Sequence, residues 1–403
     1  MKTWSWNVKG ILGSRRAHYL ARLGIFLIAA VLVAGMAGCG PSFPPLPPSQ
    51  NLEIRTWYDL DAVRGNLTGS HTLMNDLDST TAGYTELAGP AANGGKGWEP
   101  IGILYIGLRG TFDGQGYEIK DLFINRPDED LVGLFGDVDR GAIIKNIGVV
   151  NVTVTGEGGV GALVGVNWGT VSNSYCTGSV TSDGSVGGLA GGNSPGGVVS
   201  NSNFTGSVTG GDNVGGLLGT NSDGSVSDCY STGNVTGHSF VGGLVGRNPF
   251  DTVSNSYSTC SVAGYESVGG LVGYNYQGTV SDCYATGSVT GNSSIGGLVG
   301  ENRLEGTVSN SYSIGSVTGN STVGGLVGLN SNATVSNSFW DIETSGQATS
   351  AGGTGKSTAQ MKDIATFSGA RWKIIGVADG ETNSGYIWNI VEGESYPFLS
   401  WQL

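Results

Sequence analysis

One eight-residue phrase, Val-Gly-Gly-Leu-Val-Gly-x-Asn, recurs along this 403-residue chain at an almost constant interval. With few substitutions it starts at Val160, Val186, Val214, Val241, Val268, Ile295 and Val323, at spacings of 26 to 28 residues. A divergent copy, Val132-Gly133-Leu134-Phe135-Gly136, lies 28 residues before the first, which makes eight. Self-similarity at this period is the signature of a repeat architecture. No single unit can bury its own Val and Leu, so successive units must stack, each strand pairing with its equivalent in the next. Parallel strands repeat at about 4.8 Å, so seven steps make about 34 Å of solenoid before the caps.

Composition separates this reading from other repeat folds. Gly accounts for 73 residues and charged residues for 13% of the chain. Without a Gly-X-Y period, collagen is excluded. The accompanying Val, Ser, Thr and Asn favour strands and turns over helices. The spaced Leu and helical return of a leucine-rich repeat are missing. The second half of each unit also repeats: Thr279 to Gly291 matches Thr307 to Gly319 closely and Val226 to Gly237 nearly as well. Each unit therefore offers about three short strands. Equal positions stack into ladders, Val on Val and Asn on Asn, and stacked Asn amides hydrogen-bond along such a ladder. The expected fold is all-β, a parallel β-helix or β-solenoid of about eight repeats.

The phrase, followed by Gly-Thr-Val-Ser-Asn-x-Tyr-x-x-Gly-x-Val, resembles the GLUG repeat of bacterial surface proteins over about residues 130–339. Flanking segments look like those that accompany such repeats: Gly97-Trp98-Glu99-Pro100-Ile101-Gly102 and Gly110 to Gly116 upstream, Phe339-Trp340-Asp341 and Tyr396-Pro397-Phe398-Leu399 downstream. The resemblance implies a cell-surface role, often adhesin-like. Some relatives carry an immunoglobulin-cleaving zinc protease elsewhere in the chain, a function that does not transfer to these residues.

The two ends differ in kind from the repeats. Residues 1–38 read as a signal peptide, with Lys2, Lys9, Arg15, Arg16 and Arg22 ahead of an apolar stretch from Leu23 to Val33 that is too short to span a bilayer comfortably. Met36-Ala37-Gly38-Cys39 resembles a bacterial lipobox, which makes Cys39 the expected lipidation site and the membrane an expected partner. The Ser14-Arg15-Arg16 hint of a twin-arginine signal lacks its Phe, His18 standing there instead. Residues 39–50 hold five of the 11 Pro and form an extended spacer. Residues 51–130 are expected to supply an N-terminal cap and first irregular coils. Thr56 stands as N-cap of a short helix with Trp57, Leu60 and Val63 on one face. Residues 131–339 form the solenoid, and 340–403, with Trp372, Trp388 and Trp401, form a C-terminal cap.

Beyond the signal, 14 basic residues face 32 acidic ones, a balance that repels phosphate backbones and argues against nucleic acid as a partner. Three scattered His (18, 71 and 238) and no His-Glu-x-x-His leave neither a zinc protease site nor a Ser-His-Asp triad. Residues 350–357 approach a phosphate-binding loop, but Ser350 replaces its first Gly and no buried strand precedes it; a flexible Gly-rich loop is the expectation. A polysaccharide lyase or hydrolase is the enzymatic alternative, yet residues 161–339 contain only Arg247 and Arg303 as bases. Cys229 and Cys283 share a position two units apart, beyond bridging range, so four packed thiols are expected beside a disulfide-stapled alternative. Acidic turns at Asp183, Asp212 and Asp223 are weighed as Ca²⁺ ligands, although the nonapeptide calcium repeat is missing.

One pattern carries binding. The residue before each Asn and the loop behind it vary between units, which marks them as outward-facing. Trp168, Phe250, Tyr274 and Tyr276 are then expected along one edge, their rings placed to stack on sugars or anchor a protein. The expected function is a non-catalytic, lipid-anchored surface binding protein without cofactor or metal, its partner a glycan or an extracellular protein. The alternatives are a structural envelope component and the β-helix enzyme.

Overall fold

A computed structural model describes residues 51–402. The expected signal peptide, Cys39 and the Pro-rich spacer lie outside the described residues. Within them the chain winds as a parallel β-solenoid. An eleven-stranded sheet begins with three irregular coils, Leu52–Ile54, Ser70–Leu73 and Thr111–Asp113, and continues through eight regular ones from Ile143–Lys145 to Thr334–Ser336. An eight-stranded sheet runs from Phe135–Val138 to Val327–Ser331, one strand for each copy of the phrase. A third sheet completes each coil.

This third sheet departs from the expected three strands per unit. Its early coils run as long strands such as Gly148–Val160 and Tyr175–Ser182, and its later coils break into short pieces such as Tyr284–Ala285, Val289–Thr290 and Ser293–Gly296. Coils touch closely at this point: a Cβ on Gly287 would stand 1.9 Å from the Cys260 carbonyl oxygen, and one on Gly206, inside the unbroken strand Asn203–Gly210, 2.0 Å from the Gly178 carbonyl oxygen. The Gly-Gly corner of the phrase shows the same closeness. A Cβ on Gly243 would meet the Gly270 carbonyl at 2.1 Å, so the corner of this coil admits no side chain, although the first full copy carries Ala162 at the same position.

Corner chemistry also explains the residue after Thr-Val-Ser. Asn146, Asn173, Asn201, Asp228, Asn255, Asp282, Asn310 and Asn337 all sit at φ between 45° and 55°. Asn and Asp tolerate this left-handed conformation better than other non-Gly residues. Each turn feeds the next coil, as in the bond from the Asn255 N–H to the Ser281 carbonyl at 3.2 Å.

Inside, like packs on like. Val171, Val199, Val226, Val253, Val280 and Val308 are in register and buried. Burying each such side chain contributes about 1.5–3 kcal/mol. Cys229 and Cys283 occupy a row otherwise filled by Ser174, Ser202, Ser256, Ser311 and Ser338. Each takes over the serine's pattern, the Cys229 Sγ donating to the Ser227 carbonyl at 3.1 Å while its N–H donates to Ser256 Oγ. All four described Cys are buried and unpaired, and burial pushes the Cys229 thiol up to about 12.

The Asn of the phrase forms an unbroken buried ladder. Nδ2 of Asn167 donates to Oδ1 of Asn193, and the pattern continues through Asn221, Asn248, Asn275 and Asn302 to Asn330, each bond 2.8 or 2.9 Å long.

Both caps form. The helix Trp57–Ala62 has a capping box between Thr56 and Asp59, and it buries Trp57 and Leu60. The C-terminal region does more than close an end. Ser350 and Ala351 bond to the last coil, and Thr354–Lys356 pairs with Phe339–Asp341, so the Gly-rich stretch expected as a loose loop is an extra partial coil. Residues 358–402 then fold back along the flank. There Tyr230, Tyr257, Tyr284 and Tyr312 stack at 4.9 to 5.1 Å with interplanar angles of 4°. Trp372, Trp388 and Trp401 cover them and donate to the Asn337 carbonyl, Asp282 Oδ1 and the Asn255 carbonyl. A cap expected over one end is thus mainly a cover over an aromatic flank.

Two outcomes follow. Asn248→Ala leaves an amide donor and an amide acceptor buried without partners, so thermal unfolding should show a loss of about 2–4 kcal/mol, against a smaller loss for Asn330→Ala at the half-buried ladder end. Asp251 is 7% exposed and its Oδ2 has no partner; burial raises its carboxyl to about 7, the Gly224 amide opposing and the Asp223 charge reinforcing. A folded-state value above the unfolded one favours the protonated form, so the stability it confers is complete below about pH 4 and fades as pH rises through 7. Asp251→Asn should therefore stabilise the protein by about 1–3 kcal/mol at pH 8 and leave it unchanged near pH 3.5, as read by denaturant unfolding.

Candidate functional site

Alternation along the eight-stranded sheet decides what reaches solvent. With Asn pointing inward, the residues on either side of it point outward. The register then places Arg247, Tyr274 and Glu301 in one column and Pro249, Tyr276 and Arg303 in the other. Trp168, which directly follows Asn167, shares the second column with Tyr276, four coils away at about 19 Å.

The four residues expected as one stripe therefore form two stations. Ser194, Ser222 and Pro249 separate them in the second column, and Gly192 and Thr220 lie beside these in the first. Trp168, Tyr274 and Tyr276 lie half-buried and Phe250 exposed, while Pro249 and Glu301 of the same columns are buried, and variation includes small residues, so the aromatic content is not continuous.

The first station surrounds Trp168. The Arg140 guanidinium lies 5.6 Å from its ring centroid. Both line an open cavity of about 410 Å³ with Tyr105, Arg109 and Asp139. Arg109 Nε bonds Asp139 Oδ2 at 2.6 Å, and its Nη2 donates to the Tyr105 carbonyl at 3.2 Å. Tyr105, 71% exposed, stands at the tip of a loop with Ile103, Leu104 and Ile106, all exposed. Its N–H donates to Asp137 Oδ2 at 2.7 Å, which fixes the loop to the sheet. Asp137 is fully buried, and desolvation holds its carboxyl above the usual carboxylate range.

The second station is a cluster. Phe250 meets Tyr276 edge-on at 5.5 Å, Tyr276 lies 6.1 Å from Tyr274, and Phe240 packs on Tyr274 at 4.9 Å. Arg247 lies over the Tyr274 ring at 6.0 Å. Glu301 is buried between Ser267 Oγ and Arg303 Nε, at 2.9 and 2.6 Å. Phe250 is 58% exposed and held at φ 69°, a conformation an aromatic residue adopts at a cost in strain.

Sequence reading did not find Tyr105, Arg109, Asp139, Arg140 or Phe240. Gly102-Ile103-Leu104-Tyr105-Ile106-Gly107, an apolar run between two Gly, was the available signal for the loop. Arg140 belongs to the coil before Trp168, and no local pattern joins them. Among the described residues, no three His, Cys, Asp or Glu converge in a possible metal site, Asp183, Asp212 and Asp223 included. Nor is any described helix long and apolar enough to cross a membrane.

Comparison with known proteins agrees with this architecture. The pattern of the family described as "The GLUG motif" matches residues 210–236 and 264–290. Halomucin of Haloquadratum walsbyi is 34% identical over 150 residues, covering 36% of this chain and 2% of halomucin. A candidate Gly-rich membrane protein of Evansella cellulosilytica is 38% identical over 125 residues, covering 30% of this chain and 14% of that protein. The chain thus spans only a small part of either relative. A crystal structure of a candidate immunoglobulin A1 protease from Bacteroides ovatus superposes with a TM-score of 0.52 at 18% identity, covering 89% of this chain and 94% of that one. That likeness concerns the fold alone. The chain is a β-solenoid protein in which residues 210–236 and 264–290 match the GLUG motif, similar in sequence to segments of halomucin and of the Evansella protein.

Proposed function

We propose that this chain is a non-catalytic binding protein displayed at the cell surface, held to the membrane by a lipid on Cys39, with the outer face of the eight-stranded sheet as its contact surface. The observation that carries the reading is the pair of aromatic stations, Trp168 with Arg140 and Tyr274 with Arg247, presented on one rigid face. Aromatic and Arg side chains of this kind dominate recognition surfaces. The similarity to a candidate membrane protein supports the location.

Two residues that the enzymatic alternative would call on, Lys120 and Tyr175, are occupied otherwise. Lys120, the nearest thing to a lyase base among clustered acids, is bound at 2.8 Å by both Asp76 and Glu118, and these bonds raise its pKa and keep it charged. Tyr175, bonded to Glu118, is raised to about 12 by burial and by that carboxylate. Neither is poised to take a proton near neutral pH.

A panel of immobilised glycans and extracellular matrix proteins tests the binding role. Saturable binding to at least one ligand, weakened about tenfold or more by Trp168→Ala and Tyr276→Ala, is the expected result. No binding across a broad panel would favour a structural envelope component. Release of reducing sugar or unsaturated product would favour the enzyme. Anchoring is tested separately: Cys39→Ser should abolish incorporation of labelled fatty acid and release the protein from membranes, whereas an unlabelled native protein contradicts the anchor.

A further inference from the structure

Most Lys and Arg among the described residues are neutralised by a carboxylate, as Arg109 is by Asp139 and Arg303 by Glu301. Arg140 and Arg247 are different. Among the described residues neither makes an ion pair, and each lies over an aromatic ring on the same face of the solenoid. A guanidinium on a ring face keeps its planar fork of N–H donors turned outward for a planar anion. The ring beneath holds it in place and leaves an aromatic edge beside the anion site.

What lies between the stations points the same way. Ser194, Ser222 and Thr220 place hydroxyls on a strip that otherwise holds Gly192 and the buried Pro249, with no aromatic or charged side chain to interrupt it. The strip is flat because the sheet is regular, and about 19 Å separates Trp168 from Tyr276. At its Trp168 end the cavity of about 410 Å³ opens beside it. Rings for stacking at both ends, hydroxyls between, and an unpaired Arg at each end match an extended chain of pyranose rings bearing carboxylates.

We infer that this face binds uronate-containing polysaccharide, pyranose rings stacking at Trp168 and at Tyr274 and Tyr276 while carboxylates pair with Arg140 and Arg247. The inference rests on the surface-binding reading above and specifies its ligand. A polyphosphate is disfavoured, since its denser charge meets a chain with 32 acidic residues. A protein partner is disfavoured by the small, hydrophilic strip, because protein interfaces concentrate their energy in a desolvated apolar centre.

The test measures binding of the full-length protein, in detergent, to oligogalacturonates and to neutral oligosaccharides of equal length. Oligogalacturonates should bind, neutral ones at least about tenfold more weakly, and added salt should weaken the complex. Arg140→Ala and Arg247→Ala should each reduce affinity about tenfold or more with unfolding curves unchanged, and Arg140→Lys, which keeps charge without the fork, should recover only part of it. Salt dependence of the unaltered protein gives a reading that needs no variant. Equal binding of neutral and acidic sugars, or indifference to both Arg substitutions, overturns the inference. Binding of a matrix protein or nucleic acid with no uronate affinity overturns it too; the matrix-protein result leaves the surface-binding reading standing. Silence across all ligands removes both.

Discussion

A polar side chain buried in an apolar wall fixes how the coils of this solenoid meet. The Asn amides along the eight-stranded sheet have no water to turn to, and each is satisfied by the Asn of the neighbouring coil. Hydrophobic burial alone is tolerant of small displacements. An amide row is not, because a displaced coil leaves donors and acceptors unpaired on both sides. A slip of one residue would also turn every Asn outward and every Arg247-type position inward. The near-constant repeat length is the sequence expression of that requirement.

Such a framework concentrates variation where it is harmless to folding. Corners demand Gly, or Asn and Asp at left-handed φ, and the interior demands Val, Leu, Ser and Asn. What remains free is the outward pair of columns flanking the Asn ladder. Side chains placed there inherit the spacing of the strands, so a ligand meets groups at fixed intervals on a surface that does not rearrange. The apolar loop at Ile103–Ile106 is an insertion in the irregular coils and adds a wall to one end of that surface.

Repetition made the solenoid legible and, equally, set the limit of legibility. Positions such as Asn248 or Val253 announce their neighbours, since the same residue stands one period away. Thr56 with Asp59 was readable as a capping box for the same local reason. Trp372, Trp388 and Trp401 follow no period, and their contacts with Tyr312, Tyr284 and Tyr257 lie far apart in sequence, so the covered flank could not be anticipated. Trp168 and Tyr276 were recognisable as outward, yet the pairing of Trp168 with Arg140 joins different coils through side chains that occur once. Periodicity reveals ladders; it is silent about singular contacts.

Backbone hydrogen exchange across the repeats examines the stacking most directly. If the coils share one continuous ladder, amides of strands such as Val245–Pro249 and Val272–Tyr276 should be protected together and open together, near the free energy of global unfolding. Successive repeats exchanging independently, at rates near those of unstructured chain, would contradict the account.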